Sequence, residues 1–147
     1  LVRKRFGDIP YHGYDFVDGF IKSAEDEYKA DTNASFHFFD VNKDTTKVTT
    51  DYVVLSGMLN NKMENNAVFT QTTLDVMWQA CNKGIAFNAL STYVDYQDSH
   101  LYYQDPLSLF DYCKRNLSPY VQLRHDYDVK PNSIPFEFTI YVYKNGF

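Results

Sequence analysis

Apolar and polar positions along this chain alternate between short extended runs of period two and longer stretches at the helical period, the pattern of a sheet with crossover helices. Phe16, Phe20, Ala24 and Tyr28, joined by Val17 and Ile21, share one face of a segment from Asp15 to Lys29 and predict an amphipathic helix. Gly19 is its weak point, about 1 kcal/mol poorer than alanine in a helix interior. Tyr11 to Tyr14 before that helix and Ser35 to Phe39 after it read as strands. Asp51 to Ser56 is nearly all apolar inside, as expected of a central strand covered on both faces. Phe69, Leu74, Met77, Trp78 and Cys81 recur at helical spacing from Glu64 to Cys81, Lys83-Gly84 reads as the stop, and a strand from Ile85 to Leu90 follows.

Asp105-Pro106 predicts a helix start, because the carboxylate caps free amides while proline occupies a position whose N–H would be unpaired anyway. Leu107, Phe110, Cys113 and Leu117 supply its expected buried stripe. Tyr120 to His125 and Phe136 to Tyr143 are the last strands, joined only by a loop and therefore expected to pair as an antiparallel hairpin. The fold class is α/β, a mostly parallel sheet ending in an antiparallel pair. With no repeat, low-complexity tract or linker, residues 1–147 read as a single domain.

Composition narrows the chemistry. At 147 residues, with 44% hydrophobic and 22% charged positions, the chain can bury a sizeable core and is not of the disordered class. No apolar run approaches the roughly 18 residues of a membrane span, and the basic start Leu-Val-Arg-Lys-Arg is not followed by the apolar stretch of a secretory signal. A net charge of −5 gives no whole-chain field toward nucleic acid or an anionic membrane. Cys81 and Cys113 are too few for a disulfide framework, which fits a reducing cytoplasm. His12, His37, His100 and His125 show no metal-ligand spacing, and neither a G-x-S-x-G elbow nor a phosphate loop of the G-x-x-x-x-G-K type is present. Arg124-His125-Asp126-Tyr127 is the most chemically promising polar cluster, where His125 is the residue type suited to act as a general base. The 18% aromatic content suits packing between sheet and helices; Tyr93, Tyr96, Tyr102 and Tyr103 are alternatively candidates to line a substrate pocket.

The segments YHGYD at 11–15, FHFFD at 36–40, DYVVLSGMLNN at 51–61, KGIAFNALS at 83–91, YYQDPLSLFDYCK at 102–114, VQLRHDY at 121–127 and FEFTIYVYK at 136–144 together resemble the class I S-adenosylmethionine-dependent methyltransferases. The resemblance lies in their order and spacing across most of the chain. It implies a Rossmann-like sheet with a C-terminal antiparallel hairpin, S-adenosylmethionine as cofactor and an unidentified methyl acceptor, with a small molecule as the first candidate. By position it makes Asp15 the acid that accepts from the cofactor's ribose hydroxyls and Asp40 the residue at the adenine edge, with Phe39 or Val41 beside the ring. Ser56 and Gly57 match the segment beneath the methyl-bearing end, Asn60, Asn88 and Tyr93 are the substrate-facing candidates, and His125 is the candidate catalytic base. Plain readings stand beside these: Asp15 is also a fitting cap for the following helix, Asp-Val-Asn-Lys-Asp at 40–44 an ordinary solvated turn, and Asn60 and Asn61 a loop after a strand.

One departure from the family pattern is large. The family's glycine-rich loop follows its first strand, about 20 residues before the acid that ends the second, yet Gly7 and Gly13 are the only glycines ahead of Asp15. Residues 1–6 read as the end of the helix that should follow such a loop, so the expectation is a domain incomplete at its N-terminus. A missing central strand would remove on the order of ten ladder hydrogen bonds, about 1 kcal/mol net each, against a usual stability of about 5–15 kcal/mol. The chain alone is therefore expected to be marginal and to bind cofactor weakly or not at all, and an unfilled slot would favour homo-oligomers. A non-catalytic binding or scaffold domain of the same fold is the alternative function.

Overall fold

Strand β1 (Tyr11–Asp15) and strand β2 (Ala34–Phe38) pair in parallel, Tyr11 opposite Ala34 and Asp15 opposite Phe38. A parallel pair needs a crossover, and helix α1 (Asp18–Tyr28) provides it. The computed structural model describes residues 7–44 and 49–146; the helix end read over residues 1–6 lies outside them. The chain divides into two compact units, one ending at Asp44 and the other following it.

In the first unit, α1 starts later than the apolar pattern suggests. The Val17 N–H donates to Asp15 Oδ1 at 2.9 Å, and Val17 itself stays extended, so the helix cannot begin before Asp18. None of the helix residues is buried, and Phe20 is 64% exposed. The expected apolar stripe exists, but within this unit it meets only two strands, Tyr28 lying over Phe36 with ring centroids 5.8 Å apart.

The second unit contains β3 (Thr50–Leu55), a single 3-10 turn at Met58–Asn60, α2 (Asn66–Ala80), β4 (Cys81–Ser91), the two-residue β5 (Tyr103–Gln104), α3 (Pro106–Asn116), β6 (Tyr120–Arg124) and β7 (Glu137–Tyr143). Its sheet runs β3-β4-β7-β6, with β5 added beside the end of β4. Strands β3, β4 and β5 are mutually parallel, and β7 is antiparallel to both β4 and β6. The C-terminal pair is thus the expected hairpin, with β7 slotted between β4 and β6. Since β7 opposes both, β6 runs the same way as β4 and their carboxyl ends share an edge. Alternation places Phe138, Ile140 and Val142 at 0% exposure opposite Ala89, Phe87 and Ile85. These residues, with Leu74, Met77 and Cys113, form the core.

Several expectations shift. Gly84 does not end α2, which stops at Ala80 with β4 starting at once. It lies inside β4 because a side chain there would collide with the neighbouring strand: a Cβ would sit 2.6 Å from the Val142 carbonyl oxygen. Cys81 consequently belongs to a strand, not to a helical stripe. Asp105 caps α3 as expected, accepting from the Leu107 and Ser108 N–H groups at 2.8 and 3.3 Å. The buried positions of α3 are Pro106, Leu109 and Cys113, whereas Leu107 is 58% exposed, so the face is rotated from the expected stripe. Among the described residues β3 pairs only with β4, leaving it at an edge with Val54 72% exposed; the expected second neighbour is not among them.

Candidate functional site

In open α/β sheets ligands gather outside the carboxyl ends of the strands, which makes those ends the candidate positions in each unit. In the first unit the parallel pairing brings Asp15 and the segment after β2 to one edge: the Phe39 N–H donates to the Asp15 carbonyl at 2.9 Å. Asp15 is half-buried. Its Oδ1 is occupied by the Val17 N–H, while Oδ2 has no partner among the described residues.

Asp40 stands just beyond β2 in a closed turn. Its Oδ1 accepts from the Asn42 N–H at 3.0 Å, its Oδ2 pairs with Lys43 Nζ at 2.8 Å, and its own N–H donates to Asp44 Oδ2 at 2.7 Å. Hydrogen bonding from Lys43, then from the Asn42 backbone, holds the Asp40 carboxyl below the usual range. The segment therefore has the solvated-turn chemistry that its composition suggests, and any ligand at Asp40 competes with Lys43. Val41 is half-buried in the same turn.

In the second unit Ser56 and Gly57 follow β3, both exposed. Gly57 has φ +78°, which favours glycine, and among the described residues nothing lies within 4 Å of where a Cβ would be, so they leave space beside this backbone. The Gly57 N–H donates to Asn88 Oδ1 at 2.8 Å, and Asn88 Nδ2 donates to Glu137 Oε2 at 2.9 Å. Asn60 is similarly engaged: its Oδ1 accepts from the Leu90 N–H at 3.0 Å and its carbonyl from the Tyr102 N–H at 2.9 Å. The side chains of Asn60 and Asn88 thus brace the loop after β3.

His125 sits one residue past β6. Its Nε2 lies 2.9 Å from the Pro135 carbonyl oxygen. A carbonyl only accepts, so Nε2 carries the proton and the neutral ring keeps its lone pair on Nδ1. No described residue bonds to Nδ1. The ring lies between Tyr93 and Phe138, with centroids 5.9 and 6.1 Å away, and Tyr93 is 59% exposed. The rest of the polar cluster disperses: Arg124 pairs in a two-pronged bond with Asp126 at 2.6 and 3.2 Å, and the Tyr127 hydroxyl meets Thr139 Oγ1 at 2.7 Å. Glu137 and Thr139 were not among the sequence candidates. The signal for them was available, since both occupy the outward phase of the β7 alternation at its start. Among the described residues no three His, Cys, Asp or Glu side chains come together to hold a metal ion, and no helix is long and apolar enough to cross a membrane.

No protein-family model matches the chain. A Mycobacterium tuberculosis protein named "Putative methyltransferase Rv1506c" is 33% identical over 140 residues, covering 91% of this chain and 78% of that one. The chain belongs to the same methyltransferase family as that protein, with the class I S-adenosylmethionine-dependent methyltransferase fold. Solved structures share its fold. Magnesium protoporphyrin IX methyltransferase of Synechocystis PCC 6803, with bound S-adenosylhomocysteine, superposes at TM-score 0.64 and 8% identity over 91% of this chain. The CurJ carbon methyltransferase does so at 0.67 and 10% over 93%, and DhpI in complex with S-adenosylhomocysteine at 0.56 and 14% over 96%. This methyltransferase-family chain spans 64% of the Synechocystis enzyme and 42% of the CurJ chain.

Proposed function

We propose that the chain acts in S-adenosylmethionine-dependent methyl transfer: in the first unit Asp15 is the candidate acceptor for the cofactor's ribose hydroxyls, and in the second Ser56 and Gly57 are the candidates for its methyl-bearing end and His125 the candidate base toward the acceptor. Asp15 carries the reading. It is a half-buried acid at the carboxyl edge of β1, and its Oδ2 has no described partner and can accept from a ribose hydroxyl, while Oδ1 already accepts from the Val17 N–H. The open space beside Gly57 also fits a ligand lying against backbone. When bound, the cofactor supplies an electrophilic methyl group on a positively charged sulfur. His125 holds Nδ1 ready to take a proton from an acceptor hydroxyl or amine, because the Pro135 carbonyl fixes the proton on Nε2. Of the substrate-facing candidates, Tyr93 fits best, being exposed and beside His125. Asn60 and Asn88 serve the acceptor indirectly by shaping the loop.

Net charge of −5 favours a small-molecule acceptor over a nucleic acid, and two buried free cysteines fit the cytoplasm. Of the two expectations drawn from the 147 residues holding no glycine-rich loop, weak binding and none, the methyl-transfer reading takes weak binding, because Asp15 Oδ2 and the space beside Gly57 are available to a ligand. The non-catalytic alternative draws its support from the engagement of both Asp40 oxygens. Calorimetric titration with S-adenosylhomocysteine separates the two. The methyltransferase reading expects saturable binding that Asp15→Ala weakens about tenfold or more, the loss of charge-assisted hydrogen bonds. No saturable heat, or identical binding by the variant, favours the non-catalytic domain.

A further inference from the structure

The turn after β3 is held from outside itself. Ser56 and Gly57 are exposed and have no core anchor of their own, and glycine has no side chain with which to make one. The far end of the turn is fixed by Leu59, 1% exposed, and by Asn60 Oδ1 on the Leu90 N–H. At its near end the Gly57 N–H donates to Asn88 Oδ1 at 2.8 Å, the one side-chain bond to Gly57 among the described residues, beside the turn's own bond from the Asn60 N–H to the Gly57 carbonyl at 3.3 Å. An Asn amide can present either its oxygen or its NH2 group in nearly the same space, and only the oxygen can receive an N–H. What selects the orientation is the Glu137 carboxylate, 2.9 Å from Asn88 Nδ2. An ionised carboxylate only accepts, so it draws the NH2 group toward itself and turns the oxygen toward Gly57. Both residues stand on the most deeply packed strands, between neighbours such as Ala89 and Phe138 at 0% exposure, so the brace has a rigid base.

We propose that Glu137 is a positioning residue for the Ser56-Gly57 turn, acting through Asn88 to preset the backbone against which the methyl-bearing end of the cofactor lies. This rests on the methyl-transfer reading above. Loss of the carboxylate frees the Asn88 amide to rotate, the Gly57 N–H loses its acceptor, and the turn samples conformations that the ligand must then reorder.

The test uses the whole chain labelled with 15N-glycine, in which Gly57 is assigned by the loss of its signal in Gly57→Asn, a residue that tolerates positive φ. Gly84, inside β4, is the internal control. In Glu137→Ala the Gly57 amide is expected to exchange with solvent about tenfold faster or more, while Gly84 is unchanged. Glu137→Gln retains an oxygen that can accept from Asn88 and stays within about threefold of the parent. S-adenosylhomocysteine, titrated at millimolar concentration and followed on the same signals, is expected to bind several-fold more weakly to Glu137→Ala than to the parent or Glu137→Gln. Unchanged Gly57 exchange, equal acceleration at Gly57 and Gly84, or undiminished ligand binding in Glu137→Ala overturns the proposal. Absence of binding by the parent chain overturns the methyl-transfer reading itself and the cofactor half of this proposal with it, an outcome distinct from unchanged Gly57 exchange, which refutes the brace alone.

Discussion

At Cys113 burial alone decides the chemistry: the thiol is 0% exposed, and desolvation pushes it up to about 12. It is expected to resist a thiol reagent in the native protein at pH 8 and to react once the chain is unfolded, as a timed colorimetric assay reads directly. The folded pKa is raised above the unfolded one, so its contribution to stability is full below the ordinary thiol value of 9.0 and falls as pH rises from there toward about 12. Cys113→Ala is expected to flatten that alkaline fall in a pH series of denaturant melts. Asp15 was singled out in the sequence by the family resemblance, with capping of the following helix as its plain use. Its hydrogen bond to Val17 shows that the capping use and the free Oδ2 coexist in one carboxylate. Glu137 and the committed state of Asn88 were not legible, because they depend on which strand lies beside which: the register that sets Leu90 against Glu137 is a long-range fact. The tautomer of His125 depends likewise on the Pro135 carbonyl, ten residues on.

Elements were easier to read where period and punctuation agreed. The alternation of β7 and the Asp105-Pro106 start of α3 carry their own signals and appear as expected. Gly84 misled because glycine after a helical run resembles a helix stop, whereas here it permits close approach of β4 to β7. Gly84→Ala is accordingly expected to destabilise the second unit by about 1–3 kcal/mol, since backbone rather than a flexible side-chain tip stands in the way. Gly57→Asn, whose added Cβ would meet nothing within 4 Å, is expected to cost much less. Urea melts of the two variants measure the difference. The apolar content of β3 suggests a central strand covered on both faces, yet among the described residues it pairs only with β4 and leaves Tyr52 and Val54 exposed, because an apolar pattern does not by itself say which neighbour is present.

Across the molecule, stability is expected to be uneven. None of the described residues up to Asp44 is buried, whereas Phe138, Ile140, Val142 and Leu74 in the second unit are at 0% exposure. Backbone amides of β2 should therefore exchange with deuterium far faster than those of β4 and β7, because local opening there exposes little additional apolar surface. Equal protection in the two units would contradict this. The shared methyltransferase fold places the chemical burden on the carboxyl ends of the strands. The most direct test is a map of backbone amide shifts in the whole chain as S-adenosylhomocysteine is added. Saturable shifts are expected at Asp15, Phe39, Asp40, Ser56 and Gly57, with Tyr11, Thr50 and Cys81 at the amino ends of their strands unmoved. Shifts confined to those amino ends, or none that saturate, would contradict the account.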